Sequence, residues 1–201
     1  MAKPRTILFD LSEVFISGLY GVGEPVAELV GCPIAAVNQA LNQGFQDILC
    51  GRITERDYLS GAIARGGWKV EMEDLMRIIR RNFHREVPGM IDLLPLLKPH
   101  CELALFSDHA AEWVAYIEAR FTFIRHFEPR FYSFQLGQTK AAPETFERVL
   151  SALGRPPREC LFVDDNPANI AVAASVGLSG IAFQSAEQLT AALLERGFRL
   201  R

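Results

Sequence analysis

Five short apolar runs, separated by segments of helical periodicity, constrain the fold of this 201-residue chain more than any other feature. The runs are Thr6–Phe9, Leu103–Phe106, Phe131–Phe134, Cys160–Val163 and Gly180–Phe183. Each is nearly continuous in apolar residues, as a strand covered on both faces must be. Helical patterns follow three of them: "AAEWVAYIEARF", "PETFERVLSALG" and "PANIAVAASVG". In the last, Pro167 suits the first helical turn and Gly177 the stop. Strand and helix alternating in this way require right-handed crossovers, so the expected fold is α/β with a doubly wound, mostly parallel, Rossmann-like sheet.

The rhythm breaks after the first run. From Phe15 to about Glu86 there is no strand pattern, only helical segments at Val26–Leu29, Ile34–Leu49, Glu55–Arg65 and Met72–Phe83. Thr54 and Asp57 resemble a helix start, although a capping box favours Glu or Gln at the second position. "GVGEPV" and "REVPG" supply turn residues at the two margins. The expected organisation is a core of residues 1–15 and 87–201, with a small helical domain of residues 16–86 inserted over the sheet edge.

Composition excludes several classes. The chain is 49% hydrophobic and 22% charged with a net charge of −3, which offers no attraction to nucleic acid or an anionic membrane. No apolar run approaches membrane-spanning length, and the N-terminus lacks the apolar stretch of a signal peptide. Cys32, Cys50, Cys101 and Cys160 have no C-x-x-C spacing and read as thiols in a reducing compartment. A cytoplasmic location is expected. Oligomeric state is not encoded in these features.

Three runs end on groups with chemistry: Asp10, Ser107 with Asp108, and Asp164 with Asp165. In an open parallel sheet, ligands bind outside the carboxyl ends of the strands, so these groups converge on one crevice. Lys140, in "LGQTKAAPE", falls near the same edge. Each has an ordinary alternative. Asp10 can bond its own turn, Ser107 or Asp108 can cap a helix, Lys140 can be solvated, and Asp164–Asn166 before Pro167 can open a helix. Together they suit phosphoryl transfer. Carboxylates hold Mg²⁺, lysine and hydroxyl take up phosphoryl charge, and an aspartate attacks phosphorus.

The order of these motifs resembles the haloacid dehalogenase-like (HAD) hydrolase superfamily over essentially the full chain. "FDLSEV" stands at the first motif, "LFSD" at the second, "GQTKAAPETF" at the third and "FVDDNPANIAVAASVG" at the fourth. The insertion resembles a C1-type cap. "CGRITERDYL" is similar to a run of the glucose-1-phosphatase-like subgroup. The resemblance implies that Asp10 is the nucleophile and that Ser107, Asp108 and Lys140 meet the phosphoryl group. It implies Mg²⁺ ligands from Asp10, the carbonyl of Ser12, Asp165 and, directly or through water, Asp164, with Asn169 bracing the loop. The implied substrate is a small phosphorylated metabolite. Ala141 or Ala142 stands where the family usually has proline, a change expected in loop stiffness.

Ser12 departs from the family, which usually has an aspartate there to protonate the leaving group. A hydroxyl is too weak an acid for that task, whose loss costs on the order of 10²–10⁴ in rate. The expectation is faster turnover of activated phosphates, such as sugar 1-phosphates or acyl phosphates, than of alkyl phosphates. Glu13 is a stand-in acid only if it turns toward the site. Two other readings fit the motifs: a metal-free 2-haloacid dehalogenase, which the Asp164–Asp165 pair opposes, and a non-catalytic phosphate binder. Among the histidines, His109 reads as a helix-start residue and His84 falls near the junction of insertion and core. His100 and His126 read as surface positions. Phe15, Tyr20 and Phe45 either shape a pocket or form the insertion's own core.

Overall fold

The structure, a computed structural model, describes residues 3–200. The extreme ends of the expected core, residues 1, 2 and 201, lie outside the described residues. Five strands form one parallel sheet in the order β3-β2-β1-β4-β5. They are β1 (Thr6–Phe9), β2 (Glu102–Ser107), β3 (Arg130–Tyr132), β4 (Cys160–Asp164) and β5 (Ser179–Ala182).

Alternation along the strands separates the two faces. Leu8, Ala104, Phe106 and Phe162 point to one side, where they pack with Phe146 and Val149. Ile7, Phe9, Leu103, Leu105, Leu161 and Val163 point to the other side and join the larger core. Both faces are dry, which is why the runs read as continuously apolar.

Five helices lie between β1 and β2 before the core resumes: α1 (Gly23–Val30), α2 (Ile34–Asn42), α3 (Phe45–Leu49), α4 (Glu55–Gly66) and α5 (Met72–Asn82). A sixth, α6 (Met90–Leu97), leads into β2. The remaining helices are α7 (Ala111–Arg120), α8 (Ser133–Leu136), α9 (Pro143–Leu153), α10 (Pro167–Ser175) and α11 (Ala186–Glu195). The chain enters and leaves the helical insertion side by side. Ile16 bridges Glu86, Ser17 N–H donates to Arg85 O at 2.8 Å, and Val87 N–H donates to Phe15 O at 2.8 Å.

Three local details differ from the sequence reading. The single helix expected over 34–49 is two, because Gly44 adopts φ +85° between α2 and α3. The third strand ends at Tyr132, since Ser133 starts α8. Asp57 completes a capping box after all: its backbone N–H donates to Thr54 Oγ1 at 3.1 Å, and its carboxylate accepts the Thr54 N–H at 3.2 Å.

The insertion is tied down by buried polar contacts. Glu55, at the start of α4, is 1% exposed. It accepts from Trp113 Nε1 on α7 at 2.9 Å and from Arg80 Nη2 on α5 at 2.5 Å. The Ser133 hydroxyl donates to Leu49 O at 2.6 Å. Gly51 (φ +68°) passes so close to α8 that a Cβ there would lie 2.7 Å from the Phe134 carbonyl oxygen. The glycine in "CGRITERDYL" is therefore required by close approach as well as by its backbone angle.

Candidate active site

Register brings the chemistry to one level. Phe9 is paired with Leu105 on one side and Val163 on the other, so Asp10, Ser107 and Asp164 emerge together at the carboxyl edge. They border a cavity of about 490 Å³ that reaches up between sheet and insertion.

Asp10 is held on both oxygens. Its Oδ1 accepts the Leu11 N–H at 2.7 Å and the Ser107 hydroxyl at 2.6 Å, while Oδ2 lies 2.9 Å from Lys140 Nζ. Lys140 also donates to Asp164 Oδ2 at 2.6 Å. Burial works to lower the Lys140 pKa, but Asp10, Asp164 and Asp108 together outweigh it and raise it, so the ammonium is charged. Its Nζ lies over the rings of Phe106 and Phe162, at 5.8 and 5.7 Å from their centroids.

The two aspartates of the fourth motif differ. Asp164 is fully buried. Besides Lys140 it accepts from Asn166 N–H at 2.9 Å and from Asn169 Nδ2 at 3.0 Å. Burial and the nearby Asp10 raise its pKa against those donors. Asp165 lines the cavity instead. Burial, then Asp10 and Asp164, push it up to about 6. Oxygens of Asp10, Asp164 and Asp165 lie within 4.8 Å of one another, close enough to share one metal ion.

Ser107 and Asp108 sit less openly than their place in the motif suggests. Ser107 is fully buried, with its hydroxyl turned to Asp10. Asp108 lines the cavity but accepts the Lys140 backbone N–H on both oxygens at 3.1 Å, fixing the loop that carries the lysine. Burial first, with Asp10 and Asp164 adding, moves it up to about 6.

Ser12 lines the cavity, and its Oγ lies 3.1 Å from His109 Nε2. Glu13 also borders the cavity, but its carboxylate is engaged by the backbone. It holds φ +57° while its Oε1 accepts the Gly18 N–H at 2.6 Å, bracing the turn after β1. His109 is no mere helix-start residue, since it is buried, lines the cavity, and its Nδ1 lies 3.0 Å from Ser107 Oγ. His84 does lie at the junction, with Nε2 2.6 Å from the Tyr116 hydroxyl. His100 and His126 are half-buried rather than surface residues. Phe15 belongs to the core, whereas Tyr20 and Phe45 line the cavity.

The insertion's polar lining was not anticipated from the sequence. Asn38, Asn42 and Gln46 recur every four residues along α2 and α3 and face the cavity beside Tyr58. That spacing was the one available signal. Among the described residues, Lys140 is the sole lysine or arginine in the lining.

A parallel sheet with these groups at its carboxyl edge defines a class of protein, and the family comparison agrees. The chain belongs to the haloacid dehalogenase-like hydrolases, whose family pattern matches residues 4–177. It is 26% identical over 205 residues to the chloroplast flavin mononucleotide hydrolase 1 of Arabidopsis thaliana, spanning 98% of this chain and 80% of that protein. Two solved structures share the fold. One is a HAD family enzyme from Bacteroides thetaiotaomicron in complex with magnesium and inorganic phosphate (TM-score 0.76, 21% identity, 90% of this chain and 95% of that one). The other is the L-2-haloacid dehalogenase of Xanthobacter autotrophicus with chloropropionic acid covalently bound (TM-score 0.65, 19% identity, 98% and 84%). Among the described residues, no helix is long and apolar enough to cross a membrane.

Proposed function

We propose that the chain is a Mg²⁺-dependent phosphatase that cleaves a small phosphate monoester through an aspartyl-phosphate on Asp10. Charge imbalance at the cavity floor carries this reading. Asp10, Asp108, Asp164 and Asp165 face Lys140 as their one close ammonium. A dianionic phosphate is repelled from such a floor unless a divalent cation joins it.

The donor set fits Mg²⁺, which prefers oxygen ligands and keeps waters and substrate phosphate in its shell. Asp10, the Ser12 carbonyl and Asp165 would hold it directly. Asp164, already engaged by Lys140 and Asn169, would act through water. Bound there, the cation supplies charge neutralisation on the phosphoryl oxygens. Asp10 attacks phosphorus while Ser107 and the Leu11 N–H hold its Oδ1 still. Lys140, adjacent to Oδ2, meets the phosphoryl group as it arrives. The same carboxylate cluster opposes metal-free dehalogenation, where Lys140 is the one ammonium to offset its charge.

Residues 16–86 act as the cap that encloses the substrate. With amides and aromatic rings in its wall and no second cation, the cavity suits a substrate with one phosphate and an uncharged remainder. Flavin mononucleotide, the substrate in the Arabidopsis relative's name, meets that description. Its leaving group is a primary alkoxide, however, which Ser12 cannot protonate. Four free thiols fit a reducing cytoplasm.

The test is phosphate release from flavin mononucleotide, glucose 1-phosphate, acetyl phosphate and p-nitrophenyl phosphate, with Mg²⁺ and with EDTA, and Asp10→Asn as the blank. Release is expected with Mg²⁺ alone and not from the mutant, with the acyl and anomeric phosphates turned over faster than the flavin. Chloride release from 2-chloropropionate without metal would favour the dehalogenase. Phosphate binding with no turnover of any substrate would favour a binding protein.

A further inference from the structure

We propose that His109 is a positioning residue that fixes the Ser12 hydroxyl as an acceptor for the water that hydrolyses phospho-Asp10. The proposal rests on the phosphatase reading above. It follows from the direction of a chain of hydrogen bonds. Ser107 donates its single hydroxyl proton to Asp10 Oδ1 at 2.6 Å. At its 3.0 Å contact with His109 Nδ1, Ser107 Oγ must therefore accept, so Nδ1 carries a hydrogen.

His109 is 2% exposed. Its two ring nitrogens meet only the hydroxyls of Ser107 and Ser12, and among the described residues no carboxylate bonds the ring to hold an imidazolium in so buried a place, so the ring is neutral. A neutral ring protonated on Nδ1 has a bare lone pair on Nε2. Ser12, 3.1 Å away, must donate to it. The Ser12 proton is thus committed to His109, which leaves its lone pairs to accept from the cavity that it lines. Gly18 closes the opposite side, where a Cβ would lie 2.7 Å from both Cβ and Oγ of Ser12.

A hydroxyl held in this way accepts and does not donate. It serves an incoming water and not a departing alkoxide. In the second half of the reaction, the water oxygen bonds to phosphorus while the bond from phosphorus to the Asp10 oxygen breaks. The electron pair returns to the Asp10 carboxylate, and both water protons leave on the product as dihydrogen phosphate. Ser12 gains nothing in this balance and acts by aiming the water.

Two substitutions separate the two ends of the ring. His109→Asn keeps a donor near the Nδ1 position and loses the acceptor toward Ser12. His109→Gln keeps an acceptor toward Ser12 and loses the Nδ1 donor. Burst kinetics with p-nitrophenyl phosphate and Mg²⁺ resolve formation of phospho-Asp10 from its breakdown. Ser12→Ala and His109→Asn are each expected to slow breakdown about tenfold, the scale of one hydrogen bond, with formation unchanged. Their combination is expected to be no slower than either, and His109→Gln to stay within about threefold of wild type. Additive losses, or slowed formation with normal breakdown, would overturn the proposal.

A second readout does not depend on turnover. In ¹⁵N NMR of the wild type at pH 7, the His109 ring is expected neutral and protonated on Nδ1, with its Nε2 signal moving in Ser12→Ala. A ring protonated on Nε2 in an active enzyme would overturn this proposal alone. A ring protonated on Nδ1, with no phosphate released from any substrate, would overturn the phosphatase reading and the proposal with it.

Discussion

The floor and the roof of the cavity are built on different principles. At the floor, Asp10, Asp108 and Asp164 have their oxygens engaged by backbone N–H groups, Ser107, Asn169 or Lys140, and among these four Asp165 is the one whose carboxylate accepts no hydrogen bond from another of the described residues. These groups stand at the ends of buried strands or on loops tied to them. In the roof, Asn38, Asn42 and Gln46 are exposed and make no side-chain hydrogen bond among the described residues. The floor is organised before substrate arrives, the condition under which electrostatic stabilisation is effective. The roof is a short-helix surface whose side chains, on the function proposed above, would take their partners from the substrate. Changes below should therefore reach rate and stability, while changes above should reach selection alone.

Lys140→Met tests the floor most severely. It removes the one ammonium between two buried carboxylates. Turnover is expected to fall on the order of 10²–10³-fold. Stripping the partner from a buried ion pair costs about 3–5 kcal/mol of stability, visible as an earlier midpoint in urea. Added Mg²⁺ should recover part of the stability, because it neutralises the same carboxylates, and little of the rate. Full recovery of rate would mean that Lys140 serves the fold and not the phosphoryl group.

The next effect is one of pH. Asp108 and Asp165 are both raised to about 6 in the metal-free protein. Groups raised on folding stabilise fully below their unfolded value, and that contribution is lost as pH rises through about 6. The metal-free floor is thus at its least favourable above pH 6, where Mg²⁺ has most to neutralise. Protons compete for Asp165 below that value. The Mg²⁺-induced rise in Tm is expected to be full above about pH 7, to halve near pH 6 and to fade toward pH 5, with the apparent Kd rising about tenfold per pH unit. A rise in Tm independent of pH from 5 to 8 would remove Asp165 from the metal site.

How much of this was legible in the sequence follows the same division. The strands that carry Asp10, Ser107 and Asp164 were readable because continuous burial leaves continuous apolar runs, and the residue after such a run stands at the sheet edge. The strand at Phe131 was read too far along, because Ser133 obeys a contact with Leu49, 84 residues away. The helix at Met90–Leu97 was missed, since Pro95 lies inside a leucine-rich segment that hides its period. The pairing of Ser12 with His109 spans 97 residues, and that of Glu55 with Trp113 spans 58. Such pairs leave no local period, and only the parallel order of β1 and β2 brings the first of them together.

The smallest effect discriminates best between floor and roof. Gln46 is exposed at the cavity wall, on a helix of five residues in the insertion. Gln46→Arg would place a cation where the wall now has an amide. Stability is expected to change by less than about 0.5 kcal/mol, as for other surface substitutions. Turnover of p-nitrophenyl phosphate should hold, because its leaving group carries no second charge for the new cation to meet. The ratio of kcat/KM for fructose 1,6-bisphosphate over glucose 1-phosphate is expected to rise about threefold to tenfold, the range for one exposed to partly screened ion pair. The gain should shrink in high salt, since the contact is open to solvent. An unchanged ratio would show that the distal part of the substrate does not reach α3, and would move selection to Asn38 and Asn42. A fall in turnover of every substrate alike would show that roof and floor are mechanically coupled, contrary to the division their hydrogen bonding implies.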